Sequence, residues 1–252
     1  MTVHPLFAPR HGKRLPGASG AATRASRVVA DVRDALFDGR YAPGDFLGTE
    51  MDLAGRYGVS RMVARDALRT LEALGIVEIR RGAGGGATIT RGNPHLFAEA
   101  LAVQLELARI PPAQIMEAQS AVECLAAELA ASRATREHIE RLRQLIDEAE
   151  SLVDSREAFT RSSLEFHLAV ADASGNRVLH YQLVSMQHIS WPRRNRALTA
   201  AVARRVVQAH RELVERIEAR DAAGARAHMD AHVKMIRDRR VSSEKSPTMG
   251  CF

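Results

Sequence analysis

The chain has 252 residues, enough for two modest domains that each bury a core. Its charged fraction of 26% is ordinary and its aromatic fraction of 4% is low, which argues against a β-sandwich or a carbohydrate-stacking surface. The net charge of +6 is uneven: residues 1–92 carry +5 and the rest +1, so the front of the chain is the half suited to nucleic acid.

Cys124 and Cys251 lie far apart and suggest neither a disulfide framework nor a zinc ribbon, which fits a reducing cytoplasm. No apolar run reaches membrane-spanning length, and the first residues lack the apolar core of a signal peptide. The expectation is a cytoplasmic protein with no membrane partner.

Residues 1–22 read as a disordered basic tail with Arg10, Lys13 and Arg14. A first helix is predicted from about Thr23 to Gly39, burying Val28, Val29, Val32 and Leu36, with Gly39 and Pro43-Gly44 ending it. The stretch from Thr49 to Leu74 then gives two helices broken by Gly58. Leu53, Ala54 and Tyr57 make the stripe of the first, and Val59 drops between the two. Ser60 is placed to cap the second, whose buried stripe is Val63, Ala67, Leu68, Leu71 and Leu74.

The opposite face of that second helix carries Arg61, Arg65 and Arg69 at four-residue spacing, roughly in one row. An ordinary amphipathic helix with a solvated basic face would share that row, and for an isolated helix pair it is the commoner explanation. The next fifteen or so residues tip the balance toward DNA. Ile76 to Ile79 alternates like a strand, Arg80 to Gly86 is a basic glycine-rich turn, and Ala87 to Thr90 reads as a returning strand. A two-stranded ribbon after a helix-turn-helix is a wing, with Arg80 and Arg81 supplying charge and glycines such as Gly84 letting the backbone approach a phosphate. GAGGGAT lacks the full spacing and the succeeding helix of a nucleotide-binding loop.

Three segments in order, YAPGDFL, DLAGRYGVSR and ALRTLEALGIVEIRRGAG, resemble the winged helix-turn-helix of GntR-family bacterial transcription regulators over residues 24 to 90. The resemblance implies a reader domain spanning 23–92. In it Ser60 and Arg61 lie at phosphates or outer bases, Arg65 reaches a guanine edge, and Met62, Arg69, Arg80, Arg81 and Gly84 complete the DNA face. Met51 stands where several relatives carry a DNA-contacting arginine, so a different operator is expected.

Asn93-Pro94 marks the join, as cap and first helical residue. Everything after it reads as helix, in segments of about 95–109, 112–133, 135–153, 156–174, 177–190, 199–220 and 222–240. The breaks fall at Pro111-Pro112, Thr135, Ser155, Gly175-Asn176, Pro192 and Asp221. The fold class expected is therefore mostly α: a winged helix-turn-helix of three helices and a hairpin wing, then an antiparallel bundle of six or seven helices over 93–240. A flexible tail is expected from Val241.

The bundle resembles the effector-binding FCD domain, on EFHLAVADASGN at 165–176, AHRELVERIEARDAAGARAHMDAH at 209–232 and the VECLAAELAA helix. That resemblance implies a divalent metal, zinc or nickel, on three histidines and an aspartate one turn before the first. The matching histidines are His167, His210 and His232. Each alone reads as a packed or surface histidine; three in matching phrases bring a metal into the reading, since imidazole suits both ions. Two positions depart from the pattern. Ser163 takes the aspartate's place, and Gln119 stands where many relatives hold an effector acid with arginine, so these two are the candidate effector-side residues. His228, one turn before His232, ranks lower as a ligand.

The function implied is a homodimeric, metabolite-responsive transcription factor, a repressor rather than an activator. It would bind a palindromic operator in double-stranded DNA and sense a small molecule, a carboxylate by resemblance. Two alternatives remain: a metal-dependent hydrolase, for which Glu165 is the nearest carboxylate, and an unregulated architectural DNA-binding protein.

Overall fold

The computed structural model describes residues 23–82, 84–190 and 198–244. Contacts cluster into two units that divide between Asn93 and Pro94. The tail before Thr23 and the break at Pro192 lie outside the described residues, as does Cys251.

The first unit runs α1 (Arg24–Phe37), β1 (Phe46–Gly48), α2 (Glu50–Tyr57), α3 (Arg61–Ala73), β2 (Val77–Arg80) and β3 (Gly86–Ile89). Each helix starts on a hydroxyl that satisfies a free first-turn amide. Thr23 accepts from Ser26 N, and Ser60 accepts from Val63 N at 3.3 Å. Thr49 and Asp52 form a reciprocal capping box, with Thr49 N donating to Asp52 Oδ2 at 2.8 Å. Gly58 closes α2 at φ +60°, a conformation that costs a side chain but not glycine.

The core of this unit gathers Val28 and Val32 of α1, Leu53 of α2, Ala64, Ala67, Leu68 and Leu71 of α3, and Leu47, Val77 and Ile89 from the strands. Three details differ from the sequence reading. Leu74 is not part of the buried stripe: α3 ends at Ala73, Leu74 is its cap and is 59% exposed, and Ala64 takes a buried place instead. Val29, Leu36 and Val63 are only partly buried, while Ala35 is fully so. The ribbon is also wider, because β1 pairs antiparallel with β3 and gives a three-stranded sheet in the order β1-β3-β2. Arg56 ties this edge down, donating to Leu47 O at 3.1 Å and to the Tyr41 hydroxyl at 2.7 Å.

The second unit is α4 (Pro94–Leu107), α5 (Pro112–Arg133), α6 (Arg136–Ser151), α7 (Arg156–Ala173), α8 (Arg177–Ser190), α9 (Ala200–Glu218) and α10 (Ala222–Glu244). Thr135, Asn176, Thr199 and Asp221 each accept a first-turn amide, which explains why the breaks fall where they do. Ser155 makes no such bond. Arginines serve the opposite ends. Arg220, itself at φ +60°, donates to Ala131 O and Ala134 O at the end of α5, and Arg133 donates to Ser174 O at the end of α7. The last helix runs through Glu244, so residues 241–244 continue α10 instead of starting a tail. Phe159, Phe166, Leu142, Leu145, Leu213, Ile217 and Met229 form the centre of the bundle core, which also encloses Cys124.

Candidate DNA-reading face and metal centre

In the first unit, α3 and the strand turn enclose an open groove of about 710 Å³. Arg61, Arg65, Arg69, Arg80 and Arg81 line it, with Met51, Gly82 and Gly85. These five arginines share one concavity because α3 presents three at helical spacing while the β2 end supplies two. Ser60, Met62 and Gly84 do not line the groove: Ser60 is committed to its cap, Met62 is 67% exposed, and Gly84 sits in the turn at φ +79°. Ala83 is outside the described residues.

Glu50, at the first turn of α2, is the groove residue that sequence reasoning missed. Its carboxylate accepts from Arg65 Nε at 2.8 Å and from Arg65 Nη2 at 2.9 Å, while Arg61 Nη2 lies 3.7 Å away. The hydrogen bonding from Arg65 holds the Glu50 carboxyl below its usual range, and the Glu50 bond raises Arg65 in turn. Arg65 is therefore not a free fork. Its Nε–Nη2 edge is spent on Glu50, which fixes the plane of the guanidinium and leaves the Nη1 side for a ligand. An acid opening a helix reads as a dipole-favoured first-turn residue, so nothing local to Glu50 marks this role.

In the second unit, His167 on α7, His210 on α9 and His232 on α10 meet inside the bundle, each offering a ligand nitrogen within 4.8 Å of the others. They are 6%, 1% and 5% exposed. Phe166 stacks on His210 at 3.9 Å between ring centroids and 8° between planes, which fixes that imidazole. Burial pushes His210 well below its ordinary pKa and His232 down to about 3, with the neighbouring imidazoles adding to the shift. Both rings are thus neutral at physiological pH, the form that binds a metal.

The donor set fits a cation. His210 Nε2 and both nitrogens of His232 are buried without a hydrogen bond, while His167 Nδ1 faces the Glu123 carboxylate; orphaned polar atoms this close together are costly unless something binds them. Ser163 is half-buried and neutral. The carboxylate nearest the cluster instead comes from α5. Glu123 is 2% exposed, with Oε2 at 3.0 Å from His167 Nδ1 and Oε1 accepting from Gln119 Nε2 at 2.6 Å. The 3.0 Å approach has a hydrogen bond's length but not its alignment, so both atoms stay unsatisfied. Burial pushes the Glu123 carboxyl up, but His167 and Gln119 outweigh it and hold it below the usual range. The signal in the sequence was a charged residue within the buried stripe of Met116, Ala127 and Ala130. His228 turns away, with Nε2 at 2.7 Å from Ala209 O. Glu165 is exposed.

Similarity to known proteins divides the chain in the same way. The bacterial regulatory proteins of the gntR family match residues 24–86, and the FCD domain matches residues 114–235. An Escherichia coli protein assigned to regulation of the L-lactate dehydrogenase operon is 34% identical over 224 residues, 84% of this chain and 85% of its own length. The chain belongs to the GntR family. As a GntR regulator with an FCD domain it is a DNA-binding transcription regulator and not an enzyme, which removes the hydrolase alternative. The Uxu operon transcriptional regulator of Escherichia coli is 29% identical over 237 residues, 89% of this chain and 90% of that one. Among solved structures, the Streptococcus agalactiae GntR protein shares the fold at a TM-score of 0.62 and 23% identity, covering 86% of this chain and 99% of its own. Among the described residues no helix is long and apolar enough to cross a membrane.

Proposed function

We propose that this GntR regulator is a cytoplasmic, homodimeric repressor whose operator affinity is set by a small carboxylate bound at a divalent metal in the helical unit. The observation that carries the reading is the triad of buried imidazoles of His167, His210 and His232, whose ligand nitrogens lie within 4.8 Å of one another. These three would hold zinc or nickel, and the metal, when bound, supplies open positions with positive charge for an acid's oxygens. Gln119 and Ser163 are the neighbouring residues proposed to shape the acid's surroundings. That an Escherichia coli relative is assigned to the L-lactate dehydrogenase operon supports a hydroxy-acid class of ligand.

On the DNA side, Arg65 is assigned a guanine edge through its Nη1 side, and Ser60, Arg61, Met62 and Arg69 the flanking phosphates and bases. Arg80, Arg81 and Gly84 meet the adjacent backbone from the wing. One such reader covers few base pairs, so two on a palindrome multiply the discrimination. The dimer finds support in α4, a mostly apolar helix that leaves Phe97, Val103 and Leu107 at 56%, 56% and 73% exposure. Repression then depends on the acid binding the two arrangements of the dimer unequally.

The test is to capture sheared DNA from the protein's own genome at about 150 mM salt, where non-specific binding is weak, and sequence the retained fragments. The captured operator is then titrated with small carboxylates. A short palindrome beside one operon, released by an acid, is the expected result. Uniform recovery, or a palindrome that ignores every acid tried, would leave the architectural alternative.

A further inference from the structure

We infer that Glu123 supplies the negative charge of the metal centre and acts on the metal as a positioning residue through His167. This rests on the metal reading above and concerns how this chain completes a site from which Ser163 withholds an acid. A carboxylate that is 2% exposed must be satisfied or it destabilises the fold. Gln119 satisfies Oε1, but Oε2 is left facing His167 Nδ1 at 3.0 Å without a hydrogen bond. Among the described residues no lysine or arginine pairs with Glu123, and no other acid pairs with any of the three imidazoles. The protein as folded therefore holds one buried negative charge whose partners are a neutral amide and imidazoles.

A divalent cation held by the three imidazoles would balance that charge. The three imidazoles offer ligand nitrogens within 4.8 Å of one another and Glu123 does not join that group, so it is assigned to His167 and not to the metal directly. A carboxylate at Nδ1 draws the ring's single proton to that nitrogen, so the Nε2 lone pair is the one left for the metal. Gln119, by holding Oε1, aims Oε2 at the ring.

The test uses the full chain, stripped of metal, in a chelator-competition titration with zinc, alongside thermal melting of the metal-free forms. Glu123→Gln keeps the side chain's shape and removes its charge. The expected result is zinc affinity weakened by about 10- to 100-fold, the usual cost of losing a carboxylate behind a ligand histidine. Thermal melting of the metal-free forms checks that the variant is folded at the temperature of the titration. Adding Ser163→Asp to that variant should recover at least a tenfold of the loss by supplying an acid one turn before His167. Unchanged zinc affinity in Glu123→Gln would overturn the inference alone, and so would a loss that Ser163→Asp leaves unrepaired, because that marks a purely structural role. Wild-type protein that takes up no zinc would overturn the metal reading itself.

Discussion

Replacing Glu50 by glutamine probes the reading face where the structure is most specific. Arg65 commits two nitrogens to Glu50 at 2.8 and 2.9 Å, and Arg61 leans on the same carboxylate at 3.7 Å. The substitution keeps the side chain's length and removes one negative charge from a groove lined by five arginines. It has two effects with opposite consequences. One more effective positive charge against phosphate steepens the salt dependence by about 0.9 in log–log slope, or roughly a fivefold gain on any duplex near 0.15 M salt. Arg65, no longer held in one plane, must be ordered when it meets its base, which costs roughly two- to tenfold on the operator alone. The variant should therefore bind shuffled DNA about five times more tightly, while its preference for operator over shuffled DNA falls by roughly two- to tenfold. Fluorescence anisotropy on both duplexes across a salt series reads both numbers. A preference equal to or above that of wild type would show that Glu50 does not orient Arg65 and would leave the Nη1 edge without an assigned role.

Arg65→Ala should lower operator affinity by roughly one to two powers of ten while shifting shuffled DNA far less, since a base contact is lost; equal losses on both duplexes would reduce Arg65 to a phosphate contact. Gly85→Ala should spoil DNA binding with little change in bundle stability, because an added Cβ would lie 2.3 Å from Arg80 O and force the turn open. Retention of wild-type operator affinity would count against a role for the wing. Metal-free protein should weaken in acid. Burial holds His210 well below its unfolded pKa and His232 at about 3, so the unfolded chain binds more protons between those values and about 6.5. Stability is then full above about pH 6.5 and falls toward pH 3, by up to about 1.4 kcal/mol per pH unit for each histidine. Urea denaturation near neutral pH and near pH 5 checks this, and a flat profile contradicts it. Zinc at about a hundred times its Kd should stabilise the bundle by about 2.7 kcal/mol, reversed by chelation and read as a melting shift.

Much of this fold is legible in the chain because local chemistry and tertiary packing agree. Ser60, Thr135 and Asp221 are capping or breaking residues in sequence and caps in structure, and Gly58 turns where a left-handed residue is needed. The misses are non-local. β1 is three residues, Phe46–Gly48, with no alternation to mark it, and exists because β3 lies alongside. Spacing alone puts Leu74 in the buried stripe, but the helix ends one residue before it. The histidines are legible as residues in matching phrases; their burial and convergence are not. Gln119 and Ser163 are visible as separate departures, and only the fold connects them, since Gln119 binds the carboxylate that faces His167, one turn beyond Ser163. Glu50 and Glu123 escape a sequence reading for one shared reason. Each is an acid on a helix, and its role depends on a side chain from another helix, 15 residues away for Glu50 and 44 for Glu123.

Whether the histidine triad governs the reader is the central question. The direct measurement is operator affinity of metal-free wild type and of His210→Ala, each titrated with zinc and then with the releasing acid. Wild type should change its operator affinity as zinc and acid are added together, and His210→Ala should bind the operator but ignore both. The same response from the two proteins would contradict a metal-dependent switch and leave the triad as a structural element of the bundle.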